Sequence, residues 1–333
     1  MAPGTEVPGA SLLKDNLMVL RKSAVIALGG NAITRPGVPD SIANQFKHTR
    51  DSLDGVVALA REGYQLVITH GNGPQVGNAL LRIELARDVA PVLPLGICVA
   101  DTEGGMGYMI EQSLQNRLRA ERIDREIVTL VTQVLVNSND PAIADPSKYV
   151  GQFYDGDTAR QLMRERHWVM KKDSDRGWRR VVPSPSPIKT IAAATIRRLV
   201  SEGVIVIAAG GGGVPVYIDQ KGDYEGLDAV IDKDLASEVI AREIGAGILS
   251  ILTSVERVSL NYGQPNQKDL ETVTLTEIKR YYDEGHFPPG SMGPKIGAAI
   301  RFLENGGQMV TITSFEHARD SIAGKAGTRI VPD

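Results

Sequence analysis

The chain has 333 residues, a formal net charge of −3 at pH 7 and a charged fraction of 23%. This length allows about two domains or one large α/β unit, and the slightly acidic balance argues against a general nucleic-acid binder. No apolar run approaches the roughly 18–20 residues of a membrane span. The single cysteine, Cys98, excludes an intramolecular disulfide and is typical of a reducing compartment.

Residues 1–22 read as a polar extension before the first strand. Its apolar cluster at 17–20 is short, the acidic Glu6 and Asp15 precede it, and no small-residue cleavage site follows. We therefore expect no signal peptide and a cytoplasmic protein.

Short β-branched runs alternate with helical patterns from residue 23 onward. We predict strands at 23–28, 65–70, 126–136, 204–210, 247–255 and 308–314, and helices at 42–63, 75–88, 108–120, 234–245, 294–306 and 315–324. This alternation predicts an α/β fold with a mostly parallel sheet and helices on both of its faces. In such sheets ligands bind beyond the carboxyl ends of the strands.

One region interrupts the alternation, between about residues 138 and 187. It contains a loop rich in Pro and Asp, one helix at 157–166, and a segment that we predict to be a hairpin turning at 173–177. We interpret this region as a small inserted subdomain, the lid.

Three predicted strand ends run into glycines. The first gives GGN (29–31), the second HGNGPQVG (70–77) and the third GGGGVP (210–215). Glycine lets backbone N–H groups approach an anion closely, so three such loops on one sheet edge favour a phosphate ligand. The third loop lacks the Lys-Ser or Lys-Thr pair of a P-loop. The positive charge must therefore come from elsewhere in the chain.

Two lysines stand where helices are predicted to begin. Lys233 follows Asp232, a candidate N-cap, and precedes Asp234; Lys295 follows Pro294, which we place at the first helical position. A lysine at the positive end of a helix is disfavoured by some tenths of a kcal/mol. Solvated surface lysines are the alternative interpretation, but an ammonium group facing a phosphate explains both positions, with Asp234 holding the lysine or a metal.

No acid–base or metal constellation stands out among the histidines. His70 ends a predicted strand, and we interpret its role as structural. The other four show no metal-ligand spacing, so we expect no metal held by side chains of the protein: His48, His167, His286 and His317.

Six segments, in this order, resemble the amino acid kinase family and within it the carbamate kinases. They are VIALGGNAI, THGNGPQVG, RRVVPSPSP, GGGGVPV, DAVIDKDLAS and GSMGPK. The resemblance extends from about Ser23 to Asp333. It implies a three-layer αβα sandwich around a large, mostly parallel sheet, with a homodimer as the common assembly. It also implies a carbamoyl-binding lobe at 23–203, which contains the lid, and a nucleotide-binding lobe at 204–333.

The reaction implied by the resemblance is reversible phosphoryl transfer. Carbamoyl phosphate and ADP would give ATP and carbamate with Mg²⁺, during arginine breakdown. Carried over, the catalytic residues would be Lys148 of the lid, Lys233, Asp234 and Lys295. The carbamoyl phosphate would lie against Gly29, Gly30, Asn31, Gly71, Asn72 and Gly73. The nucleotide would lie against Gly210, Gly211, Gly212, Gly213, Thr253, Val255, Tyr262, Met292 and Pro294.

Two positions depart from the family pattern. Tyr149 stands where a proline usually follows the lid lysine, and Glu103 stands where an amide is expected. Tyr149 bears on the rigidity of the lid, and Glu103 on a contact near the acceptor.

Three alternatives remain. Another family member would phosphorylate a different acceptor, such as acetylglutamate, UMP or fosfomycin, in a larger pocket. A dinucleotide-dependent oxidoreductase would need a G-x-G-x-x-G motif with an acidic residue after the next strand, which the sequence lacks. A non-catalytic sensor would be expected to have lost the lysines.

Overall fold

The computed structural model describes residues 22–35, 37–173 and 176–333. The predicted extension, apart from Lys22, lies outside the described residues, as do two residues of the predicted hairpin turn. Within the described ranges, no helix combines the length and apolar character needed to cross a membrane.

The centre of the molecule is an eight-stranded sheet in the order β15-β17-β16-β12-β1-β2-β9-β3. Every neighbouring pair is parallel except β16 and β17, so the prediction of a mostly parallel sheet is confirmed. Its strands are β1 (Ser23–Leu28), β2 (Gln65–His70), β3 (Ile127–Thr129), β9 (Ile205–Ile207), β12 (Ile248–Thr253), β15 (Thr272–Thr274), β16 (Met309–Ser314) and β17 (Thr328–Val331).

Helices cover both faces of this sheet. The helices in the described ranges are α1 (Ile42–Asp51), α2 (Asp54–Arg61), α3 (Gly73–Ala86), α4 (Leu95–Ala120), α5 (Pro141–Ala144), α6 (Gly156–Arg166), α7 (Ala193–Ser201), α8 (Lys233–Ile244), α9 (Leu275–Asp283), α10 (Met292–Glu304) and α11 (Ala318–Ile322). Of these, α5 and α6 belong to the lid region. All six residues of β1 are buried. Alternate residues serve two separate cores: Val25 packs with α7, α8 and α10, and Ile26 packs with α2 and α4. The three-layer prediction is thereby confirmed.

Three smaller sheets surround the central one. The lid sheet is antiparallel in the order β5-β7-β6, with β5 (Lys148–Tyr154), β6 (Met170–Lys172) and β7 (Trp178–Val182). The predicted lid hairpin is therefore confirmed. The other two sheets contain β4 (Gln133–Val136), β8 (Pro187–Thr190), β10 (Val214–Ile218) and β11 (Tyr224–Gly226), and β13 (Ser259–Leu260) with β14 (Lys268–Asp269).

Three predicted elements are divided in the structure. The helix predicted at 315–324 is a 3-10 turn at Phe315–His317 followed by α11. The helix predicted at 42–63 is two helices, because Ser52 ends α1 and its hydroxyl donates to Ala32 O at 3.0 Å. The strand predicted at 126–136 is β3 in the central sheet and β4 in another. At the crossing point the buried Thr132 donates its N–H to Glu103 of α4 at 2.7 Å, which takes the chain out of the first sheet. The predicted lobe boundary near residue 203 stays a prediction.

Candidate active site

The first two glycine loops meet at the carboxyl ends of β1 and β2. Gly29 N donates to Leu252 O at 2.9 Å and Gly71 N donates to Leu28 O at 3.0 Å, so the loops continue the sheet. A Cβ on Gly71 would lie 3.3 Å from Gly30 N and 3.6 Å from Lys233 Cδ. The two loops and the Lys233 side chain therefore lie within van der Waals distance, as the sequence predicted for one sheet edge.

The backbone of the remaining predicted substrate residues lies in the same two loops. Asn31 is part of a 3-10 turn at Gly30–Ala32, and Gly73 is the first residue of α3. Asn72 is buried and its amide donates to Thr102 Oγ1 of α4 at 2.9 Å. The side chain of Asn72 is thus engaged in holding its own loop against α4.

Asp234 joins the two helix-start lysines. Lys233 Nζ donates to Asp234 Oδ1 at 2.5 Å, and Lys295 Nζ donates to Asp234 Oδ2 at 3.0 Å. Only 4% of the Asp234 side chain is exposed, against 12% and 16% for the two lysines. One buried carboxylate therefore holds two ammonium groups from α8 and α10 side by side.

The charges of this triad depend on one another. Burial alone would raise the pKa of Asp234, but the two lysines outweigh it and lower that pKa to about 2. Burial lowers the pKa of Lys233, and Asp234 opposes this shift. Asp234 is consequently ionised at neutral pH, and each of its oxygens accepts a charge-assisted hydrogen bond.

The start of α8 follows the prediction, whereas the start of α10 does not. Asp232 is the N-cap of α8, and its Oδ1 accepts from Asp234 N at 2.9 Å. The α10 helix begins at Met292, so the placement of Pro294 at the first helical position is wrong. Pro294 is tolerated in the first turn because the N–H groups there need no intrahelical partner. Lys295 still lies in the first turn.

The lid lysine reaches the same place from the other side. Lys148 is the first residue of β5, and its Nζ donates to Asp232 Oδ2 at 2.8 Å. The structure thus brings the four predicted catalytic residues into one connected group. Asp232, which the sequence indicated only as a helix cap, is the link between them.

The four-glycine loop is buried against the second glycine loop. A Cβ on Gly210 would lie 2.3 Å from His70 Nε2, and one on Gly211 would lie 2.1 Å from Asn72 Nδ2. The N–H groups of Gly212 and Gly213 donate within the loop, to Ala209 O and Gly210 O. Close packing alone therefore requires glycine here, and the assignment of Gly210–Gly213 to the nucleotide stays a prediction.

Two buried ionisable groups flank this loop. Burial lowers the pKa of His70 to about 4, so its ring is neutral at pH 7, consistent with a structural role at the strand end. Burial raises the pKa of Glu103 to about 9, although its hydrogen bond from Thr132 N opposes the shift. A protonated Glu103 resembles the amide that the family pattern has at this position.

The other predicted nucleotide residues lie near the end of β12, on α10 or just beyond β13. Thr253 is the last residue of β12, and Val255 follows it, half-buried. Met292 packs against the hydrophobic core to which α8 and α10 contribute. Tyr262 follows β13 and is 65% exposed. Their roles in nucleotide binding stay predictions.

Comparison with known proteins identifies the family of the chain. The model of the amino acid kinase family matches residues 22–314. Carbamate kinase of Pyrococcus horikoshii is 48% identical over 310 residues, which cover 92% of this chain and 98% of that protein. The carbamate kinase-like protein YahI of Escherichia coli is 45% identical over 315 residues, covering 94% of this chain and 99% of that protein.

A solved structure shows the same fold. Carbamate kinase from Giardia lamblia bound to AMP-PNP superposes with a TM-score of 0.88 and 40% identity, covering 94% of this chain and 99% of that one. The match of the family model over most of the chain, together with these relatives, establishes the family. The chain belongs to the amino acid kinase family.

Proposed function

We propose that this protein is a carbamate kinase, which transfers a phosphoryl group between carbamoyl phosphate and ADP to give carbamate and ATP. The observation that carries the proposal is the connected group of Lys148, Lys233 and Lys295 on the two carboxylates of Asp232 and Asp234, beside the Gly30 and Gly71 loops. Relatives that bear this name match the chain at 40–49% identity over nearly its whole length.

Phosphoryl transfer demands mainly positioning and positive charge around the group in flight. Three ammonium groups against two carboxylates leave the site with a net positive charge. In the direction of ATP synthesis, an oxygen of the ADP β-phosphate forms the new P–O bond, and the bond between phosphorus and the carbamoyl oxygen breaks. Lys233 and Lys295, held by Asp234, would stabilise the charge that spreads over the equatorial oxygens.

No general base is required by this reaction. Carbamate leaves, or attacks in reverse, as an anion, so no proton has to be removed from it. His70 is buried and its ring packs against Gly210, which agrees with a structural role for it at the strand end. The amides of the Gly29–Gly30 and Gly71–Gly73 loops would hold the carbamoyl phosphate.

Magnesium would arrive with the nucleotide as part of the substrate. Both carboxylates at the start of α8 are already bonded to lysines. The donor set of the site therefore fits a Mg²⁺ that is bound by the phosphates of ADP or ATP better than one bound by the protein. The metal would neutralise phosphate charge that the lysines do not reach.

The proposed binding partner is a second copy of the chain, and the proposed location of the protein is the cytoplasm. Large apolar side chains are exposed along α3, α4 and the loop that joins them, a surface that we name the α3–α4 face: Leu85, Val89, Val92, Ile97 and Tyr108, with exposures between 46% and 87%. Exposed apolar clusters of this kind mark protein interfaces. We propose that this face forms a homodimer.

The remaining alternative is a different small acceptor within the same family. The relative YahI, described as carbamate kinase-like, keeps this alternative open. The same lysine group would then transfer the phosphoryl group to another carboxylate or phosphate, with the acceptor selected by the lid.

The test is ATP formation from ADP, Mg²⁺ and carbamoyl phosphate in a coupled assay. A blank without enzyme corrects for spontaneous breakdown of carbamoyl phosphate. Turnover well above the blank, and much lower in Lys233→Ala, supports the proposal. Folded protein without turnover would overturn it, and acetylglutamate, UMP and fosfomycin would then be assayed with ATP.

A further inference from the structure

Asp232 makes two different side-chain interactions with its two oxygens. Oδ1 accepts from Asp234 N at 2.9 Å and caps α8, whereas Oδ2 accepts from Lys148 Nζ at 2.8 Å. The side chain of Asp232 is 15% exposed and that of Lys148 is 40% exposed. One carboxylate therefore joins the first turn of α8 to the lid, across 84 positions of sequence.

The backbone around Asp232 is fixed independently of the lysine. Asp232 O accepts from Ala236 N at 3.0 Å, inside the first turn of α8. Two residues earlier, Val230 N donates to Pro183 O at 3.0 Å, directly after the lid strand β7. The Asp232 carboxylate is thus a fixed point at the base of the lid, while Lys148 is a long side chain with several rotatable bonds.

The site uses the same arrangement for each of its lysines. Asp234 holds Lys233 and Lys295, and Asp232 holds Lys148. A lysine ammonium has three donors, and Lys148 spends one on Asp232, so two remain for an incoming phosphate. The bond to Asp232 already restricts the rotamers of the Lys148 side chain. Less side-chain conformational entropy is therefore lost when Lys148 binds the substrate.

We propose that Asp232 is a positioning residue, which holds the lid lysine Lys148 at the edge of the site so that it is in place when carbamoyl phosphate binds. The inference rests on the proposed function for its substrate. It also gives the two neighbouring carboxylates different roles. Asp234 aligns the two helix-start lysines, and Asp232 aligns the lid lysine.

Two substitutions separate this role from helix capping. Asn and Ser both cap helices well, so Asp232→Asn and Asp232→Ser should keep the melting temperature. Asn removes the charge, and Ser is too short to reach Lys148. Each variant should raise the KM for carbamoyl phosphate roughly fivefold, the size expected of a partly exposed ion pair, with kcat changed less. The matched control is Asp145→Asn. It removes the exposed ion pair between Asp145 Oδ1 and Lys171 Nζ, which are 2.7 Å apart, and should change neither KM nor kcat.

A double-mutant cycle tests whether Asp232 acts through Lys148. In a Lys148→Met background, Asp232→Asn should add no further rise in KM. If Asp232→Asn raised the KM as much in this background as in the wild-type background, the proposal would be overturned, because Asp232 would then act independently of Lys148. Wild-type KM values in both Asp232→Asn and Asp232→Ser would overturn it as well.

Hydrogen exchange of the substrate-free protein provides a readout that needs no activity. The amides of β5 should exchange faster in Asp232→Asn than in wild type or Asp145→Asn, because the lid loses its bond to α8. If the wild-type protein gave no turnover, the proposed function would fail, and this comparison alone would decide the inference. Faster exchange would support the Asp232 link, and unchanged exchange would overturn it.

Discussion

Gly77 of α3 lies directly against Gly151 of β5, so that a Cβ on Gly77 would come within 3.3 Å of Gly151 Cα. This backbone contact seats the lid strand on the main body, three residues after Lys148. The Gly151 carbonyl also accepts from Arg179 Nε of β7 at 3.2 Å. Gly77, which the sequence showed only as the end of a glycine-rich motif, therefore supports the lid.

We expect Gly77→Val to displace β5 and to lower kcat/KM for carbamoyl phosphate by about tenfold or more, as misplacement of a positioning group does. Gly104→Ala in α4 is the control, because nothing lies within 4 Å of its new Cβ. That substitution should raise the free energy of unfolding by up to about 1 kcal/mol and leave activity unchanged. Wild-type kinetics in Gly77→Val would show that the lid tolerates the displacement.

Lys233→Ala and Lys295→Ala should each lower kcat by on the order of 10²–10³, the loss seen when one electrostatic donor is removed from a transition state. Each variant leaves Asp234 with a single ammonium partner, so its fold should persist with reduced stability. Steady-state kinetics and circular dichroism on the purified variants measure both effects. Lys325→Ala, at an exposed position, is the control. Near-normal kcat in both variants would contradict the assigned roles.

The sequence predicted those parts of the site that depend on local rules. Parallel strands that run into glycine end at the same edge of the sheet, so the sequence alone predicts that Gly30 lies near Gly71. Asp232 before a helical pattern predicted an N-cap, and the structure confirms it. These predictions depend only on residue spacing and backbone chemistry, and a short segment of sequence contains all of that information.

Contacts between distant segments could not be predicted in this way. The Lys148–Asp232 bond joins the lid to α8, and no periodicity relates two residues so far apart. The division of 126–136 into β3 and β4 depends on Glu103 capturing Thr132 N, which is a tertiary contact of a buried acid. The four glycines looked like a phosphate loop, but their tightest contacts are with His70 and Asn72.

The α3–α4 face gives a prediction about assembly. Introducing a charge at the centre of an apolar interface requires burying it without a partner, which is strongly unfavourable. We expect Val89→Asp, at a side chain that is 87% exposed in the single chain, to lower the mass measured by sedimentation from dimer to monomer. Ile218→Asp, at a 50% exposed position on β10, should leave the mass unchanged. A wild-type mass in Val89→Asp would place the interface elsewhere.

Glu103 predicts how stability changes with pH. Burial raises the pKa of Glu103 to about 9 in the folded protein, whereas the ordinary pKa of this carboxyl is 4.5. Between these values the unfolded state binds fewer protons, so stability falls as the pH rises, by at most about 1.4 kcal/mol per pH unit for this one group.

Glu103→Gln removes this titration while keeping the side-chain shape and an oxygen that can accept from Thr132 N. Because every other group titrates equally in both proteins, the difference between their melting temperatures isolates Glu103. We expect the melting temperature of the variant, relative to that of the wild type, to rise steadily from pH 5 to pH 8, by several degrees in total. Thermal melts at one protein concentration measure this difference. A difference that is the same at both ends of this range would mean that Glu103 is already ionised in the folded protein, and the loop beside Gly210 would then have to accommodate a buried negative charge.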